Sequence, residues 1–290
     1  MRPGFLILDK PEGVTSHDLI TRARKILGTR KIGHAGTLDP MATGVMVLGI
    51  ESATRLLDYV MAGSKRYLAT IKVGALTLTD DRTGEVLERH PVDGEVMARA
   101  ERELLRMVGI IDQVPSRVSA IKVDGKRSYD RVREGEEVEL KARRVEIFAL
   151  DVVERREDEI EIDVTCSPGT YIRAIARDVG GHLTALRRIE SRPFTIADCS
   201  EIDSSHLLSS ADVISRVIAS YKVDFTEQRE ISLGRSIECE SGRILRSDHV
   251  REDVIAALGP AGDLIALLKP IDGRLQPIVV LPESRIEVEK

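Results

Sequence analysis

Between residues 33 and 45 the chain sets one imidazole, His34, and one carboxylate, Asp39, among three glycines and a proline. A carboxylate can serve as nucleophile or general base, and an imidazole can move a proton or bind a metal. Gly33, Gly36 and Gly44 permit positive φ or a close approach of backbone to a ligand. Pro40 removes a donor and fixes the turn after Asp39. So short and stiff a loop holds Asp39 in one place. Read alone, however, Asp39-Pro40 is also a good helix start, an N-cap followed by proline at the first helical position, and on that signal capping outweighs chemistry. His34 beside glycine is as readily a turn residue or a satisfied core group. No second His or Cys stands at ligand spacing, so no metal site is expected here.

Other chemistry-bearing residues need particular elements to position them. Lys65 to Val73 alternates, which puts Tyr67, Ala69, Ile71 and Val73 on one apolar strand face and reads Tyr67 as core. Ile172, Ile175, Ala176 and Val179 form the buried stripe of a helix after Ser167-Pro168-Gly169, with Arg173 beside that stripe near its start. A cation there opposes the helix dipole, so a bound carboxylate or phosphate explains Arg173 better than local stability does. Asp80-Asp81 has no third ligand and falls between strand-like segments, which predicts a hairpin turn rather than a metal site. From about 113 to 145 the chain is loop-rich and basic, with Lys122, Lys126, Arg127, Arg131 and Arg133 diluted by Glu134, Glu136, Glu137 and Glu139. An exposed loop is the default for such a run.

The remaining pattern supplies a scaffold. Phe5 to Leu8 predicts a strand closed by the turn Pro11-Glu12-Gly13, and a helix follows from Ser16 as N-cap to Leu27-Gly28. Its cations Arg22, Arg24 and Lys25, with Arg30 and Lys31, form a solvated face or flank a phosphate path. Val45 to Gly49 predicts a strand and Ala53 to Leu57 a short helix. Val92 to Val108 predicts an amphipathic helix with Val96, Ala100, Leu104 and Met107 or Val108 inward. Arg144 to Val153 and Glu159 to Cys166 predict a strand pair. Leu207 to Ala219 predicts a helix, Thr226 to Arg235 a short helix closed by Gly234, and Leu264 to Leu268 and Ile278 to Leu281 strands, the first preceded by a turn at Gly259 to Asp263.

Composition bounds the function. The 290 residues, 42% hydrophobic and 31% charged, suit one large domain plus a small one. A net charge of −5 excludes a protein that coats nucleic acid indiscriminately, but leaves room for RNA binding through a local basic face. With 3% aromatic residues and no Trp, broad base-stacking platforms are not expected. Cys166, Cys199 and Cys239 are far apart and read as reduced thiols of a cytoplasmic protein. No stretch is apolar for long enough to span a bilayer, and Met1-Arg2-Pro3-Gly4 lacks a signal-peptide profile.

The whole stretch Gly33-His34-Ala35-Gly36-Thr37-Leu38-Asp39-Pro40-Met41-Ala42-Thr43-Gly44-Val45 resembles the signature of the TruB family of pseudouridine synthases. Those enzymes isomerise the uridine at position 55 in the T-arm of tRNA. In the family the aspartate of this motif, matching Asp39, is the nucleophile, and the histidine, matching His34, inserts where the target base has been flipped out. Asp9 to Ser16 resembles the family's opening motif. Lys65-x-Tyr67 resembles its second motif, whose tyrosine stacks on the flipped uracil. Gly169-Thr170-Tyr171-Ile172-Arg173 resembles the third, whose arginine pairs with the catalytic aspartate. Ser119-Ala120-Ile121-Lys122 resembles part of a thumb that folds over bound RNA, and Leu186-Arg187-Arg188 an element whose leucine lines the uracil pocket. The run around Asp80 resembles one read as structural. The chain departs from the family pattern at Ile189, at Arg192-Pro193-Phe194 and in a shortened segment before His182.

The resemblance covers about residues 4 to 195. It implies an α+β pseudouridine synthase fold, with a central bent, mostly antiparallel mixed sheet flanked by helices, over residues 1–222, and a small β-rich PUA-like domain over 223–290. The implied catalytic residues are Asp39, Tyr67 and Arg173, and the implied substrate contacts are His34, Leu186, Lys65, Lys122 and Tyr171. No metal or other cofactor is implied. The implied partner is the T-arm stem-loop of tRNA, bound by a monomer that needs no protein partner and no membrane. Two rivals compete. A non-catalytic RNA-binding or tRNA-folding protein would have no need of Asp39, Tyr67 and Arg173 together. A small-molecule hydrolase would need a second carboxylate or a metal set beside Asp39. The absence of long basic tails favours a stand-alone enzyme over a guide-RNA-dependent one.

Overall fold

A computed structural model describes residues 1–117, 122–123, 126–127, 140–245 and 251–282. Nine strands form the main sheet. Its path is β1 (Gly4–Lys10), β3 (Thr43–Ile50), β12 (Gly181–Ser191), β4 (Lys65–Val73), β11 (Glu159–Cys166), β10 (Arg143–Arg155) and β7 (Gly109–Gln113), with β2 (Ile32–His34) paired to β3 and β13 (Phe194–Thr195) paired to β12. Every pairing is antiparallel except β12 with β3, so the sheet is mixed and mostly antiparallel. Two short hairpins stand apart from it, β5 (Ala75–Thr77) with β6 (Val86–Arg89) and β8 (Lys122–Val123) with β9 (Lys126–Arg127).

Alternation decides which face is buried. Along β4, Lys65, Tyr67, Ala69, Ile71 and Val73 are all buried, and so are Ile160, Ile162 and Val164 on the neighbouring β11. Helix α1 (Ser16–Leu27) lays Leu19, Ile20, Ala23 and Leu27 into this same core. Its cap differs from expectation by one residue. The Thr15 hydroxyl accepts from Asp18 N in a capping box, and Ser16, expected as the cap, turns its hydroxyl to Leu38 instead. The helix expected at 53–57 is a 3₁₀ turn, Glu51–Leu56, running into α2 (Leu57–Met61). Helix α3 (Gly94–Arg106) buries Met97, Ala100 and Leu104, while Val108 is exposed.

A second sheet of six strands, β15 (Ile237–Glu238), β19 (Arg274–Val280), β18 (Leu264–Ile271), β17 (Arg251–Leu258), β14 (Ile218–Lys222) and β16 (Ile244–Leu245), makes the C-terminal part β-rich. The helix expected over 207–219 is shorter. It spans Ser210–Ser215, capped by Ser209, and the chain then extends into β14, where Ala219 to Lys222 pair with Ile255 to Leu258. Sheet pairing has overridden the local helical pattern, because Val217 and Ile218 are buried against the second sheet. As a result Ile218–Lys222, on the first-domain side of the expected boundary at 222, is a strand of the second sheet. One apolar cluster joins the sheets, with Phe5, Ile7, Val45 and Val47 from the first and Val254, Ala256, Leu264 and Leu267 from the second. Among the described residues no helix is long and apolar enough to cross a membrane.

Candidate active site

Asp39 caps no helix. Residues 37–39 belong to no helix or strand, and Pro40 and Met41 form a turn closed by Ala42 N donating to Asp39 O at 3.1 Å. The peptides on either side are tied down from β1 and α1. Ser16 Oγ donates to Leu38 O and accepts from Leu38 N, both at 3.0 Å. Gly13 N donates to Pro40 O at 2.9 Å, and the buried Lys10 ammonium reaches the same carbonyl at 3.3 Å. Lys10 also donates to Pro11 O and Val14 O, and burial lowers its pKa. With both neighbours fixed, the Asp39 carboxylate points into a cleft of about 500 Å³ and keeps 33% of its surface exposed.

Arg173 meets it there. The helix Ile172–Asp178 has no side-chain cap at Tyr171, and Arg173 emerges from its first turn 5% exposed. Its Nη2 donates to Asp39 Oδ1 at 3.0 Å, and its Nε lies 2.9 Å from Asp39 Oδ2, a two-point ion pair. Nη1 donates to Thr79 O at 2.7 Å. The arginine at an unfavourable helix end is thus explained by the carboxylate it holds, as its position in the sequence predicts.

Asp81 was legible only as a turn residue. The turn is present, with Asp80 at φ 59° between β5 and β6, but Asp81 is buried and its Oδ2 lies 3.7 Å from Arg173 Nη1. Its other oxygen, Oδ1, accepts from Thr79 Oγ1 at 2.7 Å, Thr83 N at 2.9 Å and Thr83 Oγ1 at 2.6 Å. Asp39 and Asp81 therefore flank one guanidinium, and the threonines around Asp81 were the sequence signal for a carboxylate with its lone pairs satisfied. Asp81→Asn keeps the size but loses the charge. Turnover is expected to fall by about 10- to 100-fold with RNA affinity unchanged, since a small misplacement of Arg173 propagates to Asp39. Single-turnover kinetics beside filter binding would check this.

Tyr67, Leu186, Lys65 and Tyr171 line the same cleft, along with Met61, Ile172 and Arg188. Tyr67 belongs both to the core and to the pocket wall, so its core and pocket readings hold together. Burial raises its pKa, against the pull of the nearby Arg188 charge, and keeps the phenol protonated. Leu186 of β12 sits opposite Ala69 of β4, in a regular run from Ala185 to Arg188 bounded by register shifts between Leu183 and Ala185 and, around the altered Ile189, between Arg188 and Glu190. The Tyr171 backbone is held by Gln113, whose amide accepts from Tyr171 N at 2.8 Å and donates to Tyr171 O at 3.1 Å. Gln113 was not singled out in the sequence, and its burial on the edge strand β7 is a product of pairing. Lys122 lies in β8, and its side chain is outside the described residues.

His34 is not in the cleft lining. It ends β2 opposite Leu48, half-buried, with Nδ1 unpaired and burial lowering its pKa. Its expected place in the RNA stack would be at the other end of the loop from Asp39. Among the described residues no group of three or more His, Cys, Asp or Glu side chains is arranged to hold a metal.

Lys65 gives a pH test. Its ammonium is buried, donates to Met61 O at 3.1 Å and Gly63 O at 2.6 Å, and is pushed down to about 8 by burial, with Arg188 adding to the shift. Between that value and the ordinary 10.5 the unfolded chain binds the proton and the folded one does not, so stability rises with pH across the window. The rise contributed by Lys65 approaches about 3 kcal/mol and should be absent in Lys65→Met. Urea denaturation of both proteins at several pH values between neutrality and 10.5 would check it.

The fold defines the class. Solved structures of an H/ACA RNP bound to a substrate RNA and of a Cbf5-Nop10-Gar1 complex superpose with TM-scores of 0.70 and 0.69 at 20% identity, each over 96% of this chain and 84% and 83% of theirs. Residues 24–172 match the family described as TruB family pseudouridylate synthase (N terminal domain). A tRNA pseudouridine synthase B of Arthrobacter sp. (strain FB24) is 44% identical over 98% of both chains, and one of Thermobifida fusca (strain YX) is 43% identical over 98% of this chain and 100% of that one. The chain belongs to the TruB family of pseudouridylate synthases.

Proposed function

We propose that this enzyme isomerises the uridine at position 55 in the T-arm of tRNA, and that Asp39 begins the exchange. The observation that carries the reading is the Asp39–Arg173 ion pair opening onto a cleft walled by Tyr67 and Leu186. Pure RNA binding has no use for a carboxylate held at the mouth of such a cleft, where it would repel phosphate. The names of its relatives support tRNA as the substrate.

The base must leave its stack, at a cost of a few kcal/mol. His34 fills the vacated space, and its lowered pKa favours the neutral ring that stacking wants. Tyr67 and Leu186 hold the uracil between them. Tyr171 and Lys65 complete the wall, and Lys122 contacts RNA from the thumb. Asp39 then attacks C1′, attacks C6 of the base or removes the proton at C2′, and each route breaks the bond from C1′ to N1. The uracil turns and rejoins through C5, whose proton must leave. A buried phenol with a raised pKa is a poor acceptor, so that proton passes to a carboxylate, and Asp39 is the one Arg173 aims. The C-terminal sheet acts as a PUA-like grip on the acceptor end. The enzyme works in the cytoplasm as a monomer without a protein partner, in keeping with its three free cysteines.

Tritium release from a T-arm stem-loop labelled at C5 of the target uridine tests the reaction. Release with one equivalent of tritium per modified site supports it. Binding without release from a folded T-arm or full tRNA would leave an RNA-binding or tRNA-folding protein in its place.

A further inference from the structure

Arg188 has no role in the chemistry described above, yet it is among the most buried side chains of the molecule, 2% exposed. On β12 it stands opposite Gly44 of β3 on one side and Tyr67 of β4 on the other. Its Nε donates to Val45 O at 2.7 Å and its Nη2 to Gly36 O at 3.2 Å. Those two carbonyls lie on opposite sides of Asp39 in the sequence, Gly36 in the loop and Val45 in β3 just beyond it. The described residues give Arg188 no carboxylate partner. Burying an uncompensated guanidinium is costly, and an apolar residue of similar volume would serve packing better. Its planar fork fixes the directions of both bonds at once, which a flexible ammonium or a neutral amide does less well.

Two glycines lie against Arg188, one against its side chain and one against its backbone. Gly36 has φ 97°, and a Cβ there would stand 3.5 Å from Arg188 Nη1. Gly44 has φ 107°, and a Cβ there would stand 2.1 Å from the Arg188 carbonyl oxygen. Gly44 thus lets the main chains of β3 and β12 approach closely whatever the side chain at 188, while at Gly36 it is the guanidinium itself that lies in ordinary contact with the loop. Its charge also reaches the rest of the pocket, for it contributes to the pKa shifts of His34, Lys65 and Tyr67.

We propose that Arg188 is a positioning residue that clamps both ends of the Asp39 loop to the strand forming the base pocket. Ser16 and Lys10 hold the peptides next to Asp39 from the α1 side, and Arg188 holds the loop's flanks from the sheet side. The carboxylate, Tyr67 and Leu186 then keep one geometry while the base detaches and turns. This rests on the proposed isomerisation for its kinetic consequence, and on the hydrogen bonds alone for its structural one.

The test uses Arg188→Gln and Arg188→Lys in the full chain, with thermal melting to fix the folded fraction. Tritium release per folded molecule is expected to fall about 100-fold in Arg188→Gln, with KM and T-arm affinity within about threefold of wild type. Arg188→Lys, which restores the charge but not the rigid planar fork, is expected to recover about tenfold of that loss. Turnover per folded molecule within about threefold of wild type in Arg188→Gln, or a raised KM at unchanged kcat, would overturn the clamp. Amide exchange over residues 36–45 should accelerate at least about tenfold in Arg188→Gln, and unchanged exchange would overturn it as well. If wild type releases no tritium, the isomerisation reading fails, and the exchange measurement still decides the clamp.

Discussion

Asp39→Asn is expected to lower tritium release from a folded T-arm by about 10⁴-fold or more while leaving RNA affinity within about threefold. The substitution preserves shape and volume but removes the carboxylate proposed to begin the exchange and to take the C5 proton. The surrounding peptide will not rearrange to compensate, because Ser16 holds Leu38 and Gly13 and Lys10 hold Pro40. With 33% of the carboxylate surface open to the cleft, little stability depends on its charge, so melting should change by a few degrees at most. Residual turnover above about one hundredth of wild type would show that another group begins the exchange. Parallel filter binding separates that outcome from lost affinity.

Arg173→Met carries the second large effect, and it combines two losses. Turnover is expected to fall by about 10³-fold, because the group that aims the carboxylate is gone. Stability is expected to fall by about 3 kcal/mol, because Asp81, buried and fixed by Thr79 and Thr83, is left without its cation. Urea denaturation reads the second loss and single-turnover kinetics the first. Arg173→Lys keeps a charge but cannot reproduce the two-point contact with Asp39 together with the bond to Thr79 O, so intermediate turnover is expected. Full turnover in the methionine variant would remove the ion pair from the mechanism. Combining it with Asp81→Asn should recover part of the stability, since the buried charge goes with its partner.

What the sequence disclosed and what it withheld follow one physical line. Features set by local pattern were legible: the strand face bearing Tyr67, the stripe beside Arg173, the stiffness of the loop around Asp39. Arg173 at the wrong end of a helix even called for an anionic partner, a carboxylate or a phosphate. Where two local readings competed, distant contacts chose between them. Asp39-Pro40 starts no helix because Gly13 and Lys10 occupy the Pro40 carbonyl that a first turn would use. Ser16 lost its cap to Thr15 because Leu38, far along the chain, took its hydroxyl. Asp81 was legible only as a turn residue and Arg188 only as part of the Leu-Arg-Arg element, and neither these nor Gln113 could be read as buried, because their burial arises only from strand pairing and hairpin placement. No periodicity marks a polar residue for the interior. The helix expected to Ala219 stops early for the same reason, as a neighbouring strand offers its residues a ladder.

The apolar cluster shared by the two sheets bears on how this enzyme could be shortened. Strands β1 and β3 contribute Phe5, Ile7, Val45 and Val47 to a cluster that runs through Val213 and Ile214 of the helix Ser210–Ser215 to the C-terminal sheet, and β3 begins where the aspartate loop ends. A protein cut before β17 would expose those side chains on the back of the strands that carry its chemistry. The C-terminal part is therefore no detachable accessory, however little it touches the reacting base. A minimal enzyme made by deletion is expected to lose stability with the part of that cluster it removes. Replacing the back-face residues of β1 and β3 with polar ones would have to come first.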